Sequence, residues 1–294
     1  MRLLSAAVVS LCLLACSSSN NNDGGMGGGS ATGGGSATGG GAAAGGGSAT
    51  GGGSATGGGG GGVSAHCQGD GGFFGESKCD CAGFSLCDDF EAAAVDTATW
   101  TLDTSNGTAT IDNTKAARGN SSLKIHIANG GGDRAILNET KSFPAPMNHF
   151  WVRAFVFATA PVPQVHCAMF ESSGGNTAVR VGLDHMGVIE PNYMSPPNEY
   201  GVFNSLVHPA LPTGTWTCIE IEYNGSMNAV HTYLDGTEAT GIAIDGTENP
   251  PWTAPTYSTL SIGPELFQSD NTANGYDFWI DAVATSGTRV GCSK

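Results

Sequence analysis

Apolar and polar residues alternate along several short stretches of the chain, with the period of two that side chains have on a β-strand. In PQVHCAMFE, Val165, Cys167 and Met169 alternate with Gln164 and His166. We expect the first three side chains to face a core, and the amide and the imidazole to share the opposite face. The segment is therefore predicted to be a strand that carries a polar pair on its open side.

The same kind of pattern recurs along the rest of the chain, and helix signals are scarce. In TWTCIEIEY, Ile219 and Ile221 are expected to face the core, with Cys218 and Glu220 on the other face. Clusters of Gly, Pro, Asn and Asp separate the predicted strands, which predicts an antiparallel sandwich or barrel. The remaining predicted strands are SLKIHI, FWVRAFVF, AVRVGL, AVHTYLDG, TLSIG and DFWIDAVA.

The N-terminus has the features of an export signal. Arg2 precedes an apolar run from Leu3 to Ala15 that is too short to span a bilayer as a stable helix. The run ends in LLAC, which resembles the lipobox of bacterial lipoproteins. That resemblance implies cleavage after residue 15, diacylglyceryl modification of Cys16 and, with Ser17 next, an outer-membrane location. An ordinary secretory signal with a chance cysteine is the alternative.

Residues 16–62 have a different composition from the rest of the chain. They contain no aromatic residue and repeat GGGSAT four times. Such a segment cannot offset the entropy of ordering, so it is predicted to be a flexible tether with a root-mean-square span of about 35–40 Å. The predicted organisation is a signal peptide at 1–15, the tether at 16–62 and one domain at 63–294, which is long enough for a single core.

The charge balance limits the partners of the protein. The chain has 26 Asp and Glu against 11 Lys and Arg, for a net charge of −15. No basic stripe is available to release counterions, which disfavours nucleic acid and anionic membranes as partners. Membrane attachment is therefore expected through the lipid anchor only.

Cysteines are expected to form disulfides outside the cytoplasm, with residues 63–87 as a Cys-rich staple. The sequence leaves their connectivity open, and the odd number leaves one thiol free or paired between molecules. A zinc site from His66, Cys67, Cys79 and Cys81 is an alternative, but CDC lacks the usual two-residue spacer. The domain cysteines are Cys67, Cys79, Cys81, Cys87, Cys167, Cys218 and Cys292.

Four segments in a fixed order carry a resemblance to a known superfamily. CDDFE, RGNSSLKIHI, GTWTCIEIEYNGSMNAVHTYLDG and DFWIDAVA resemble strands of concanavalin-like jelly rolls. Over most of residues 85–292 the chain is similar to the secreted cellulose-induced proteins related to glucuronan lyases. This implies an all-β, concanavalin-like antiparallel β-sandwich. It also implies a structural calcium ion held by Glu91, Asp281 and backbone carbonyls. The alternative is that Glu91 ends a strand and Asp281 accepts backbone hydrogen bonds.

The resemblance also suggests where chemistry could occur. The E-x-D-x-x-E strand of glycosidases on this fold is absent, which disfavours glycoside hydrolysis. A polysaccharide lyase needs a group that neutralises a uronate carboxylate, a base and an acid. By resemblance, Arg153 and Gln164 would hold the carboxylate, His166 would be the base and Tyr193 the acid. Longer lyase signatures are absent, however, and Pro163 crowds the start of the Gln164 strand.

A binding function uses the same predicted open face without catalysis. Aromatic side chains would stack on sugar rings and polar ones would bind hydroxyl groups, as in a surface lectin. We favour this function, a surface-anchored lipoprotein that recognises a polysaccharide, over a lyase or a structural, adhesive lipoprotein without a glycan site. The predicted ligand-binding residues are Trp151, Arg180, Trp216, Glu220, His231 and Tyr233.

Overall fold

The computed structural model describes residues 72–81, 83–202 and 209–293. Within these ranges the chain forms fifteen β-strands and two short 3₁₀ helices, Pro146–Asn148 and Thr240–Ile242. The strands are β1 Leu86–Asp88, β2 Thr101–Ser105, β3 Gly107–Asp112, β4 Ser122–Ile127, β5 Arg134–Glu139, β6 His149–Ala158, β7 Cys167–Gly174, β8 Thr177–Leu183, β9 Ile189–Ser195, β10 Asn198–Gly201, β11 Trp216–Asn224, β12 Ala229–Leu234, β13 Thr237–Glu238, β14 Thr259–Leu266 and β15 Tyr276–Ser286.

The strands form two antiparallel sheets. The eight-stranded sheet has the order β13-β12-β11-β6-β15-β4-β3, with β1 also paired with β15. The seven-stranded sheet has the order β10-β9-β8-β7-β14-β5-β2. The inner faces pack together, since Ile219 and Ile221 from one sheet and Val179 and Val181 from the other lie in one hydrophobic cluster. The predicted all-β sandwich is confirmed.

Each alternating segment predicted to be a strand coincides with a strand of the structure or overlaps one. SLKIHI coincides with β4, while AVRVGL and FWVRAFVF each lie inside a strand one or two residues longer. The inward orientation of Cys167 and Met169 is also confirmed, because both are buried in the main core. The strand that contains them begins only at Cys167, so Gln164 and His166 precede it.

The outer face of the eight-stranded sheet is covered by both ends of the described domain. Phe73 packs against the hydrophobic cluster that contains Cys218 and Cys292, and these two cysteines form a disulfide. The bond joins β11 to the C-terminal tail, residues 287–293. Arg118 donates hydrogen bonds to the carbonyls of Phe73, at 2.9 Å, and Cys292, at 2.7 Å. This face is therefore largely closed to solvent.

Disulfides account for most of the described cysteines, as predicted. Cys79 is bonded to Cys87, which closes a loop within the Cys-rich segment, and Cys81 is also disulfide-bonded. Cys167 is free and buried, and burial raises the pKa of its thiol to about 12. It is therefore a poor nucleophile.

Several predictions concern residues outside the described ranges. These are the signal peptide, lipidation of Cys16, the tether and two of the four predicted zinc ligands, His66 and Cys67. The zinc alternative is nevertheless wrong, because its other two ligands, Cys79 and Cys81, are in disulfides. Within the described residues, none of the helices is both long and apolar enough to span a bilayer.

Candidate functional site

A row of polar side chains crosses the outer face of the seven-stranded sheet. The strand registers place one residue from each of five neighbouring strands side by side in this row. All five positions point away from the core, because inward and outward positions alternate along each strand. From β5 to β9 the residues of this polar row are Asn138, Ser261, Glu171, Arg180 and Asn192.

The neighbouring row has small residues in its centre. Ala168 of β7 and Gly182 of β8 lie between Glu265 of β14 and Glu190 of β9. A Cβ atom at Gly182 would lie 2.0 Å from the carbonyl oxygen of Cys167, so this position requires glycine. Because these two residues are small, the surface of the sheet has a depression between the two glutamates. We call this polar and partly hollow surface the groove.

His166 lies at the end of the groove, immediately before β7. Its Nε2 atom is 3.0 Å from Nδ2 of Asn192, and its ring stacks on Phe267 with 4.7 Å between centroids. Its backbone N–H donates to Oε1 of Gln268 at 3.1 Å. Burial lowers the pKa of the imidazole, which keeps it neutral near pH 7.

A pair of acidic side chains lines the same end of the groove. Glu190 and Asp184 are both buried and share a hydrogen bond. Burial, this hydrogen bond and the charge of Asp184 raise the pKa of Glu190 to about 8, so Glu190 is mostly protonated at neutral pH. Together with His166, His185 and other polar residues, the pair lines a cavity of about 250 Å³.

Arg180 is held in the middle of the polar row by two carboxylates. Its Nε atom donates to Oε2 of Glu171 at 2.5 Å, and its Nη1 atom donates to Oε1 of Glu199 at 2.6 Å. The guanidinium also lies over the ring of Phe267, with its Cζ atom 5.0 Å from the ring centroid. The single positive charge of this side chain is therefore shared between two carboxylates of the protein.

A second cavity, of about 180 Å³, lies on the same face of the sheet. It begins at Glu171 and extends towards β5 and β2. Amide, hydroxyl and carboxylate groups dominate its walls, and Ile136 and Gly263 are among its apolar parts. Its polar walls are formed by Asp103, Asn138, Glu171, Ser261 and Glu265.

The predicted catalytic set does not come together, because its members lie on different surfaces. Gln164 is in the loop before β7, where its Nε2 atom donates to the carbonyl of Val162 at 3.2 Å. Tyr193 is next to Asn192 on β9, so it points into the core, where its hydroxyl donates to the carbonyl of Pro250 at 2.9 Å. The assignment of Tyr193 as an acid beside His166 is therefore wrong.

Arg153 lies on the other sheet and is fully buried beneath the C-terminal tail. Its Nη1 atom donates to the carbonyl of Gly291 at 3.3 Å. Burial and the nearby charge of Arg118 lower the pKa of Arg153 to about 9. Its predicted partnership with His166 is wrong, because the two residues lie on opposite sides of the sandwich.

Five of the six predicted ligand-binding residues lie on the outer face of the eight-stranded sheet, and only Arg180 lies in the groove. Glu220 is fully buried and accepts hydrogen bonds from Arg289, at 2.8 Å, and from the N–H of Gly291, at 2.6 Å. It fixes the C-terminal tail and does not contact solvent. The Arg289 guanidinium also covers the ring of Tyr233, at 4.0 Å from the centroid.

The other three have partners within the protein. Trp151 packs against the ring of Tyr233 at 5.4 Å, and Trp216 packs against Phe157 at 5.6 Å. His231 is 2.7 Å from a carboxylate oxygen of Glu238. These residues do not share a surface with His166, so the single sugar-binding face predicted from the sequence is wrong.

The two predicted calcium ligands do meet at one loop, residues 117–121. Asp281 accepts hydrogen bonds from the N–H groups of Ala117 and Arg118, at 2.7 and 2.9 Å, while Glu91 accepts from Asn120 at 2.7 Å. Burial, followed by the charge of Glu91, raises the pKa of Asp281 to about 7.

Two neighbouring carboxylates suit a hard cation, but calcium takes 6–8 oxygen ligands, and the rest would have to be backbone carbonyls or water. Among the described residues there is no group of three or more His, Cys, Asp or Glu that could hold a metal ion. The backbone hydrogen bonds anticipated in the alternative interpretation are present. Calcium binding stays a prediction.

Sequence reasoning missed three residues that form the groove around His166, namely Glu190, Asn192 and Asp184. A signal for two of them was present. In VIEPNYM, Glu190 and Asn192 alternate with Ile189 and Tyr193 on the other face. Asp184 follows β8 and is brought to Glu190 by the turn between β8 and β9, which no local pattern reveals.

The two packed antiparallel sheets, with a polar groove on the outer face of one of them, define a concanavalin-like β-sandwich. A family model described as a Cip1-like core domain, of the polysaccharide-lyase-like type, matches residues 89–288. The chain belongs to this Cip1-like family.

Many solved structures are similar to this chain, and two of them are described here. The cellulose-induced protein Cip1 has a TM-score of 0.60 at 22% identity, over 70% of this chain and 99% of that chain. The endo-β-1,4-glucuronan lyase from the fungus Trichoderma reesei has a TM-score of 0.52 at 13% identity, over 70% of this chain and 96% of that chain. At these identities the likeness shows the fold alone. A comparison with curated protein sequences finds no match.

Proposed function

We propose that the domain binds a polysaccharide along the groove of the seven-stranded sheet. The observation that carries this proposal is the polar row that crosses five strands, with a cavity of about 250 Å³ near one end and one of about 180 Å³ on the same face. Sugar hydroxyl groups both donate and accept hydrogen bonds, so they fit walls of amide, hydroxyl and carboxylate groups. A site that crosses strands also suits an extended chain better than a small molecule.

The family supports this proposal, because it is of the polysaccharide-lyase-like type and the similar structures are those of a cellulose-induced protein and a glucuronan lyase. We further propose that the domain is displayed on the tether by a lipid at Cys16, outside the cytoplasm of a bacterium. The support is the LLAC sequence, the apolar run before it and the Gly-rich repeat after it.

Retention on immobilised or gel-embedded glycans tests the binding proposal. The full chain with Cys16→Ser is used, because this change removes the predicted lipid. We expect Asn192→Ala to weaken retention about 5- to 10-fold, the effect of one or two lost hydrogen bonds. His231→Ala is the matched control, since it removes a polar side chain from the outer face of the other sheet.

An equal loss of retention for His231→Ala and Asn192→Ala would show that the polysaccharide does not bind specifically in the groove. Failure of the Cys16→Ser chain to bind any polysaccharide would favour the structural, adhesive lipoprotein. Thermal unfolding of each variant shows whether a loss of retention reflects a loss of fold.

β-Elimination is the second candidate function, and one observation favours it. Burial lowers the pKa of His166, so it is a neutral imidazole that could remove a proton once a substrate displaces the Asn192 amide, which lies 3.0 Å from its Nε2 atom. Tyr193 points into the core and is not available as the acid. Incubation with glucuronan and alginate, followed by ultraviolet absorbance of the unsaturated product, separates the functions. Product that is lost in His166→Ala would establish a lyase, and retention without product would establish binding alone.

A further inference from the structure

The cations of the groove are all engaged with the protein's own carboxylates. In the described strands of the seven-stranded sheet, Arg134 and Arg180 are the only arginines, and there is no lysine or histidine. Six carboxylates accompany them. These are Asp103, Glu139, Glu171, Glu190, Glu199 and Glu265.

Both arginines have tight partners. Arg134 donates to a carboxylate oxygen of Asp103 at 2.9 Å and to the carbonyl of Gly132 at 3.2 Å. Arg180 is clamped between Glu171 and Glu199, and only about 14% of its side chain is exposed. Two carboxylates already balance its single positive charge, so a ligand carboxylate that approached the other N–H groups of the guanidinium would be repelled by both glutamates.

The other residues near the cavity at His166 do not provide a positive charge that could bind a ligand carboxylate. His166 is neutral because burial lowers its pKa. The proton of Glu190 is engaged in the hydrogen bond with Asp184. His185 is mostly exposed and is 2.8 Å from a carboxylate oxygen of Asp184. Charged ligand groups need an opposite charge in a partly buried site, since desolvation is otherwise uncompensated.

We infer that the groove binds a neutral polysaccharide and rejects polyuronates, with the Glu171–Arg180–Glu199 clamp as the element that determines this specificity. This inference rests on the proposed binding function. The clamp leaves carboxylate oxygens and the amides of Asn138 and Asn192 along the polar row, which suit hydroxyl groups. The two glutamates also compensate the charge of Arg180, which is the central cation that a uronate carboxylate would need.

A matched pair of polymers provides the first test. Soluble cellulose derivatives with hydroxyethyl groups and glucuronan share the β-1,4 linkage, but only glucuronan carries a carboxylate on each sugar. Xylan and galactomannan extend the neutral set, and alginate extends the charged one. We expect the Cys16→Ser chain to be retained by at least one neutral polymer and at least tenfold less by either polyuronate. Equal or stronger retention on a polyuronate would overturn the inference while leaving polysaccharide binding intact. Retention on none of them would instead count against the proposed function.

Opening the clamp provides the second test. Glu171→Gln combined with Glu199→Gln removes both negative charges and leaves the charge of the Arg180 guanidinium uncompensated, so we expect at least a tenfold gain in retention on glucuronan or alginate. The gain should fall with added salt, because it would be electrostatic. Glu222→Gln with Glu238→Gln is the matched control, since both residues pair with histidines on the other sheet and the change in net charge is the same.

If the control pair gains as much retention as the clamp pair, overall charge rather than the clamp sets the specificity and the inference is wrong. If the clamp pair remains folded and gains nothing, Arg180 does not govern discrimination. Circular dichroism and thermal unfolding of both double variants show whether the sheets are intact.

Discussion

Replacing Glu190 with glutamine tests whether its carboxyl is protonated in the folded protein. The pKa of Glu190 is raised to about 8, from 4.5 for a solvated glutamate. Between these two values the folded protein keeps a proton that the unfolded chain has released. The free energy of unfolding therefore falls as the pH rises from about 4.5, and the loss is complete above about pH 8.

The size of the effect follows from the two pKa values. At about 1.4 kcal/mol per pH unit, the difference between about 8 and 4.5 corresponds to at most about 5 kcal/mol. Asp184 shares the proton and the site adjoins a cavity that admits water, so we expect about 1–3 kcal/mol. The amide introduced by Glu190→Gln keeps a donor towards Asp184 and carries no charge, which removes this part of the pH dependence.

The measurement is urea unfolding of wild type and Glu190→Gln at about pH 5 and about pH 9. Wild type is expected to lose about 1–3 kcal/mol more than the variant over this interval. Asp281, whose pKa is about 7, contributes to the slope of both proteins and cancels in the comparison. Parallel pH profiles for the two proteins would refute the assignment of a protonated Glu190.

Further predictions concern the disulfide, the calcium ligands and the lipid anchor. Cys218→Ser with Cys292→Ser should lower the free energy of unfolding by about 2–4 kcal/mol, measured in urea, because the bond closes a long loop and holds the C-terminal tail. An unchanged midpoint would show that the hydrogen bonds made by Arg118, Arg153 and Glu220 hold the tail without the disulfide. Calcium should raise the unfolding temperature of wild type relative to an EGTA-treated sample, and Asp281→Asn should abolish the difference. An unfolding temperature of wild type that is the same with calcium and with EGTA would contradict the calcium prediction. Labelled palmitate should be incorporated by the wild-type chain in bacteria and not by Cys16→Ser, and equal labelling would contradict lipidation at this residue.

Strands and their buried faces could be predicted from the sequence, because period-two alternation is a local property. Ile219 and Ile221 face the core for this reason. Membership of a sheet could not be predicted in the same way. Arg153 and Arg180 both occupy outward positions in amphipathic strands, but β6 and β8 belong to different sheets. The sheet to which a strand belongs depends on its pairing with strands that are distant in the sequence. The alternating pattern does not reveal that pairing, because strands of both sheets have the same alternation.

Two further errors have physical causes. Tyr193 does not reach the groove because its neighbour Asn192 occupies that face, and a shift of one residue reverses the direction of a side chain. Glu220 does point outward, but it is fully buried because the C-terminal tail covers it. A tail that returns 71 residues later to cover a strand leaves no trace in the local pattern.

Both ends of the described domain cover the eight-stranded sheet, which leaves the groove as the open face of the sandwich. Phe73 and Cys292 are joined through Arg118 on one side of the sandwich, while the groove opens on the other. Phe73 and the groove therefore lie on opposite sides of the sandwich. A partner or a label that contacts the domain at Phe73 or at the C-terminal tail would therefore leave the groove accessible to a long polymer.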